Sequence, residues 1–122
     1  MKPVQKTDWN IVFPMPAKWI TLSLDRRFSK DEAARLKMGF LPHEMEDKWF
    51  IYFENDVLYF HRSWTGYCIY QVFFTQEGDS LRMTQALINR DPGQYTETRA
   101  KRDEESISDL IDVFLLNRAT SG

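Results

Sequence analysis

Residues 48–75 read KWFIYFENDVLYFHRSWTGYCIYQVFFT, and this stretch decides the fold. β-Branched and aromatic residues, which favour strands, dominate three runs in it. The runs are separated by Asn-Asp at 55–56 and by Ser-Trp-Thr-Gly at 63–66, and both breaks contain residues typical of tight turns. The stretch therefore predicts an antiparallel meander with strands over 49–53, 57–60 and 67–74.

Alternating patterns on both sides of the meander predict two more strands. Ile20, Leu22 and Leu24 alternate with polar residues and predict a half-buried strand over 20–24. A similar alternation after the turn at 76–80 predicts a strand over 81–89 that extends the meander. The segment before the first of these strands, WNIVFPMP, ends in two prolines and predicts extended chain or a sheet edge.

Two helices complete the predicted fold. Ser29 and Glu32 have the spacing of a capping box and Gly39 follows as a stop, which predicts a short helix over 30–38. After a stretch over 94–103 that reads as a solvated, mobile loop, acidic residues and an apolar stripe at helical spacing predict an amphipathic helix over 103–117. The stripe consists of Ile107, Leu110, Ile111, Phe114 and Leu115.

The predicted class is α+β in one domain over residues 1–122. Its core is an antiparallel meander of four to five strands, with a short N-terminal helix and the C-terminal amphipathic helix packed on one face of the sheet. A chain of 122 residues, of which 43% are hydrophobic, is large enough to bury one core of its own.

Strand alternation sorts the side chains of the first hairpin onto two sides, if Asn55-Asp56 is a two-residue loop. Trp49, Ile51, Phe53, Leu58, Phe60 and Arg62 then share the first side. We expect the C-terminal helix to cover this side, with Arg62 stacked on Trp49 at its edge. The second side is aromatic and polar, and is either packed by the N-terminal segment or left as a binding surface. It contains Phe50, Tyr52, Glu54, Val57, Tyr59 and His61.

Composition narrows the function classes. The net charge of −2 argues against general affinity for nucleic acid, which needs a basic face. No apolar run approaches the roughly 20 residues that span a bilayer, so no membrane association is predicted. The N-terminus lacks the apolar core of a signal peptide. The single cysteine, Cys68, excludes an intrachain disulfide and suits a reducing compartment, so the predicted location is the cytoplasm.

The stretch HRSWTG at 61–66 concentrates polar groups at a strand end. Arg62 can hold a phosphate or carboxylate through two parallel hydrogen bonds, and Trp64 can stack on a ring. Ser63 and Thr65 can donate further hydrogen bonds, and Tyr52 and Tyr59 add hydroxyls on the aromatic face. The predicted ligand-binding residues are therefore Arg62, Ser63, Trp64, Thr65, Tyr52 and Tyr59.

The alternative interpretation of this stretch is purely structural. The hydroxyls of a β-turn can bond to their own backbone, and a glycine such as Gly66 can supply a positive φ. Trp64 would then belong to the core. Both interpretations stay open on the sequence.

The candidate catalytic residues are His61 and Glu46, as acid and base. Glu46 could also pair with Glu54 or Asp47, although the sequence does not fix their separation. The acidic loop around Glu46 lacks a second histidine at ligand spacing, so we predict a solvated loop and no metal or cofactor.

Two other groups of reactive or charged residues have simple interpretations. Cys68 lies within a strand, away from any helix N-terminus that would lower its pKa, and is predicted to be an inert buried thiol. Arg90, Arg99, Lys101 and Arg102 are interrupted by acidic residues, so we predict a solvated loop rather than a basic patch.

The motifs EDKWF at 46–50 and HRSWTG at 61–66 resemble a poorly characterised bacterial family of small proteins. Members stand alone or accompany enzymes of the ADP-ribosylglycohydrolase type. The resemblance covers about residues 40–117 and implies ADP-ribose or nucleotide biology, although the family has no established activity to transfer. The acidic metal motifs of the glycohydrolases are missing from this chain.

Two function classes follow from these observations. The first is a non-catalytic binding or interaction module that contacts a protein partner or a small nucleotide-like ligand through the aromatic sheet face and the turn from Arg62 to Thr65. The second is a small hydrolase or transferase acting on a nucleotide or ADP-ribosyl substrate. Arg62 would bind the anion, Trp64 would stack on the ring, and His61 or Glu46 would transfer the proton. The sequence does not indicate an oligomeric state.

Overall fold

The computed structural model describes residues 2–118, and they form one five-stranded antiparallel sheet with two helices. The predicted α+β class is confirmed. Residues 1 and 119–122 of the predicted domain lie outside the described residues. The strands are ordered β1-β5-β4-β3-β2 across the sheet. In chain order the elements are β1 (Trp19–Phe28), α1 (Lys30–Met38), β2 (Trp49–Glu54), β3 (Val57–Arg62), β4 (Cys68–Glu77), β5 (Ser80–Asn89) and α2 (Ala100–Leu110), which continues as a π-helical turn (Ile111–Leu115).

The meander forms as predicted. Asn55 and Asp56 have φ angles of 52° and 63°, the conformation that a two-residue hairpin loop with a right-handed strand twist requires. This loop sets the predicted register, in which Ile51 pairs with Phe60 and Tyr52 with Tyr59.

The strand predicted over 20–24 is confirmed and is longer than predicted. β1 runs to Phe28 and pairs with β5 along the far edge of the sheet. A register shift between Ser23 and Arg26 interrupts the pairing, and such a bulge lets a strand bend while it stays paired. The alternating pattern stops at Asp25, which is why the sequence did not show the second half of the strand.

The short helix α1 has the predicted caps. Ser29 Oγ accepts a hydrogen bond from the Glu32 amide at 3.2 Å, and the Glu32 carboxylate accepts one from the Ser29 amide at 2.8 Å. Gly39 ends the helix with a φ of 71°. Both helices pack against the predicted first side of the sheet, where the apolar stripe of the C-terminal helix meets the strands. The buried core there includes Ile51, Leu58, Phe60, Ile107, Ile111 and Leu115.

The prediction of a solvated loop over 94–103 was only partly right: residues 94–99 lie outside helices and strands and several are exposed, but residues 100–103 are helical. α2 begins at Ala100, and the Asp103 carboxylate is fully buried. It accepts hydrogen bonds from the Tyr95 hydroxyl at 2.6 Å and the Tyr70 hydroxyl at 3.3 Å. Arg90, predicted to be solvated, is largely buried and pairs with the same carboxylate. These partners are distant in sequence, so local composition could not reveal them.

The N-terminal segment (residues 2–16) packs on the second side of the sheet. Trp9 stacks on Phe50 with ring centroids 5.9 Å apart, and its indole N–H donates to the Ser63 carbonyl at 2.9 Å. The Phe13 amide donates to the Gly66 carbonyl at 2.9 Å. Of the two alternatives for this side, packing by the N-terminal segment is therefore the one observed, although the cover leaves a cavity. Within residues 2–118, no helix combines the length and apolar character needed to cross a membrane.

Replacing Gly66 with alanine should destabilise the protein more than the same change at Gly78. Both glycines have positive φ, 77° and 62°, so both variants introduce similar backbone strain. A Cβ at Gly66 would lie 2.5 Å from the Ile11 carbonyl oxygen, whereas nothing lies within 4 Å of one at Gly78. We expect an additional loss of about 1–3 kcal/mol for Gly66→Ala in urea unfolding. Equal losses would show that the N-terminal segment is not held against the turn.

Candidate functional site

A cavity of about 170 Å³ lies between the N-terminal segment and the aromatic side of the sheet. The strands contribute Tyr52, Tyr59 and His61 to its walls, while the N-terminal segment contributes Val12 and Phe13. Further along the walls are Lys6, Pro14, Glu54, Cys68 and Gln71.

Strand pairing brings three of the predicted site residues together in this cavity. Tyr52 of β2 lies opposite Tyr59 of β3, and their rings stack with centroids 4.6 Å apart and planes 12° apart. The His61 ring lies two residues along β3 on the same side and stacks on Tyr52 at 5.7 Å with an angle of 15°. These nearly parallel rings stack on one another and line one side of the cavity.

His61 has one ring nitrogen bonded and one without a partner. Its Nδ1 lies 3.0 Å from the carbonyl oxygen of Gly66. A carbonyl can only accept, so Nδ1 must be protonated and, in a neutral ring, Nε2 holds a lone pair. Nε2 is buried and has no hydrogen-bond partner within residues 2–118, and His61 as a whole is only 2% exposed. An unsatisfied buried acceptor costs about 1–3 kcal/mol, so this atom is an unusual feature of the site.

The surroundings of His61 keep its ring neutral. Burial lowers the pKa of His61 below its ordinary value, the hydrogen bond to Gly66 opposes that shift, and the positive charge of Lys6 adds to it. The ring is therefore an uncharged hydrogen-bond acceptor at neutral pH. Burial, followed by the charges of neighbouring groups, also raises the pKa of the Tyr52 and Tyr59 hydroxyls, which stay protonated and able to donate.

Two opposite charges flank the cavity where it meets solvent. Lys6 and Glu54 are both exposed, and each lines the wall. Sequence reasoning missed Lys6, Val12, Phe13 and Gln71 as site residues. The apolar segment at 9–16 was the available signal, since an aromatic sheet face needs a cover of this kind.

The predicted turn lies outside the cavity. Arg62 points to the first side of the sheet and stacks on Trp49, with its guanidinium carbon 4.9 Å from the ring centroid, as predicted. Ser63 is buried, and its hydroxyl donates to the Asp47 carbonyl at 2.7 Å. Trp64 is 59% exposed, so it is not the core residue of the structural alternative. The Thr65 hydroxyl accepts a hydrogen bond from the Tyr67 amide at 3.3 Å.

The turn nevertheless helps to position His61. Gly66 has the positive φ that the structural interpretation required, and its carbonyl accepts the hydrogen bonds of both His61 Nδ1 and the Phe13 amide. One backbone carbonyl therefore links the turn, the histidine and the N-terminal cover. The structural interpretation is therefore right about Gly66 and wrong about Trp64, and the binding interpretation stays a prediction.

The two catalytic candidates do not meet. Glu46 is exposed in the loop before β2 and, within the described chain, is not among the residues lining the cavity that holds His61. In the same loop, the Asp47 carboxylate accepts hydrogen bonds from the amides of His43 and Glu44 and so braces the loop itself. Between residues 2 and 118, no three His, Cys, Asp or Glu side chains come together as a metal site would require.

Cys68 is expected to react slowly with thiol reagents in the native protein and rapidly after unfolding. It is fully buried, and burial raises the pKa of its thiol to about 12, with a hydrogen bond from Gln71 opposing that shift. Because the thiolate is the reactive species, native labelling should be slow. Labelling with and without denaturant measures this difference. Stoichiometric native labelling within seconds would contradict it and would make Cys68 a candidate nucleophile.

Comparison with known proteins assigns no family to the chain. No protein-family model matches it, and neither a curated protein nor a solved structure shows significant similarity to it. The resemblance to the family with the EDKWF and HRSWTG motifs remains a prediction.

Proposed function

We propose that this protein is a small non-catalytic binding module whose ligand occupies the cavity on the aromatic sheet face. The unpaired Nε2 of His61 is the observation that carries the proposal. Buried polar atoms in native proteins almost always have partners, so an atom without one calls for an explanation, and a bound ligand is one that also accounts for the cavity. Tyr52 and Tyr59 line the same cavity as His61 and supply two aromatic rings and two hydroxyls.

The turn is the second part of the proposed binding surface. Arg62, Trp64 and Thr65 are exposed, and the Lys48 ammonium lies 4.7 Å from the centroid of the Trp64 ring. An exposed tryptophan with a lysine over its ring, in the same turn as an exposed arginine, suits an anionic partner protein or the phosphate of a nucleotide-like ligand. Ser63 contributes indirectly, since its hydroxyl holds the turn against the loop before β2.

A small hydrolase or transferase is the second candidate, because the same Nε2 could act as a general base. A neutral histidine with a free lone pair is competent to remove a proton from a substrate or water. Its substrate would be a nucleotide or an ADP-ribosyl group, as the resemblance implies. The separation of Glu46 from His61 favours the binding module.

For either function, a fully buried reduced thiol suits the cytoplasm, which we propose as the location.

Ligand-induced stabilisation tests the proposed function. Nucleotides, ADP-ribose and small aromatic compounds would be screened against the parent and His61→Phe, with His43→Phe as the matched control in an exposed loop. A ligand at 100 times its Kd should add about 2.7 kcal/mol to the parent and to the control, and much less to His61→Phe. If no compound stabilises the parent, the proposal fails. Turnover of an ADP-ribosyl substrate that is lost in His61→Phe would favour the enzyme.

Alanine substitution distinguishes a turn that stabilises the fold from a turn that serves as a binding surface. Trp64→Ala should cost less than about 1 kcal/mol because the ring is exposed, whereas a core tryptophan costs about 3–5 kcal/mol. Arg62→Ala should lose about 0.5–1 kcal/mol with its cation–π contact to Trp49. The urea midpoints of both variants measure these effects. Two strongly lowered midpoints would mean that the turn is scaffold, and its assignment as a binding surface would be withdrawn.

A further inference from the structure

We infer that the cavity binds a single planar ring with an O–H or N–H group that donates a hydrogen bond to Nε2 of His61. The inference rests on the proposed function and specifies the ligand of that same site. Nε2 is closed to solvent in this conformation, so the donor of the ligand reaches it after a small shift of the cover formed by residues 12–14.

Size limits the ligand to one ring. The cavity is about 170 Å³, and a dry protein cavity of roughly 150 Å³ is known to hold a benzene molecule. A complete nucleotide, with its base, sugar and phosphate, is larger than this cavity. If the natural ligand is nucleotide-like, only one ring of it enters, and the remainder extends past Lys6 and Glu54 into solvent.

Shape favours a flat group. The rings of Tyr52, Tyr59 and His61 are stacked with interplanar angles of 12° to 25°. Aromatic rings associate best in offset-stacked or edge-to-face arrangements, and a planar ligand can extend this stack or pack edge-to-face against it. The opposite charges of Lys6 and Glu54 at the rim do not select a charged ring.

Hydrogen-bond polarity selects a donor. Because the Gly66 carbonyl requires a proton on Nδ1, the free nitrogen of the neutral ring can only accept. A ligand that offers only acceptors would leave Nε2 unsatisfied and would add an unpaired lone pair beside it. A ligand with an O–H or N–H at this point satisfies the atom, so the site should discriminate between isosteric rings with and without a donor.

Three matched probes test the inference: phenol, anisole and benzene. Phenol has the donor, anisole replaces its hydrogen with a methyl group, and benzene has neither. We expect phenol to bind the parent roughly 10- to 100-fold more tightly than anisole or benzene, the ratio that one satisfied buried hydrogen bond supports. In His61→Phe the preference should disappear. Affinities would be measured by NMR titration, which detects weak binding.

A second variant keeps the inference testable if His61→Phe does not fold. Val12→Trp fills the cavity from the N-terminal segment and leaves His61 and the sheet unchanged, so it should lose phenol binding. Equal binding of phenol, anisole and benzene would overturn the inference while the proposed binding function stands. If none of the three probes or the screened compounds binds, both proposals fall.

Discussion

Replacing Ile111 with alanine is expected to lower the free energy of unfolding by about 2–5 kcal/mol. Ile111 is fully buried where the C-terminal helix packs against the sheet, between Ile107 and Leu115 on the same stripe. Truncation to alanine removes buried apolar area and leaves a cavity that the neighbouring strands cannot fill. Urea unfolding of the variant beside the parent measures the loss.

Val113→Ala is the matched control for this prediction. Val113 lies in the same π-helical turn but is 40% exposed, so its truncation should cost far less. Similar losses at Ile111 and Val113 would contradict the packing described for the helix. A chain truncated after residue 105 that still unfolds cooperatively would refute the placement of the helix in the core.

Removing the carboxylate of Asp103 is expected to cost about 3–5 kcal/mol. Asp103→Ala leaves Arg90, whose side chain is only 14% exposed, without its ion-pair partner. It also removes the acceptor of the Tyr70 and Tyr95 hydroxyls. Removing one partner of a buried ion pair leaves the other charge buried and unpaired, and that unpaired charge is the main source of the lost stability.

A double-mutant cycle with Arg90→Met separates these contributions. If the unpaired guanidinium causes most of the lost stability, the double variant should be more stable than Asp103→Ala alone, because the methionine has no charge to bury. Additive losses would show that Arg90 and Asp103 do not interact, which would contradict the buried network. Urea midpoints of the four proteins provide the measurement.

The fold was predictable wherever local signals were strong. The Asn55-Asp56 loop fixed the hairpin register, because a two-residue turn with two positive φ angles allows only one pairing. The capping residues Ser29 and Glu32 fixed the first helix in the same way. The start of the last helix was missed because Asp103 resembled a solvated first-turn acid and its partners lie elsewhere in the chain.

The candidate site was only partly predictable. Tyr52, Tyr59 and His61 were correctly placed on one side of the hairpin by strand alternation. The same alternation separates His61 from Arg62, since neighbouring strand residues face opposite sides. Grouping them in one catalytic cluster disregarded that rule. The cover supplied by the N-terminal segment depends on contacts across more than 50 residues, such as that of Trp9 with Ser63, which no local pattern encodes.

The most direct test of the proposed site is an NMR experiment on the side-chain nitrogens of His61. The chain has two histidines, and His43 lies in an exposed loop, so a His43→Gln variant assigns the spectrum. We predict that His61 carries its proton on Nδ1, leaves Nε2 unprotonated at neutral pH, and shifts its Nε2 resonance when phenol is added. A proton on Nε2, a charged ring at neutral pH, or an Nε2 resonance unchanged by saturating phenol would contradict the proposed binding site.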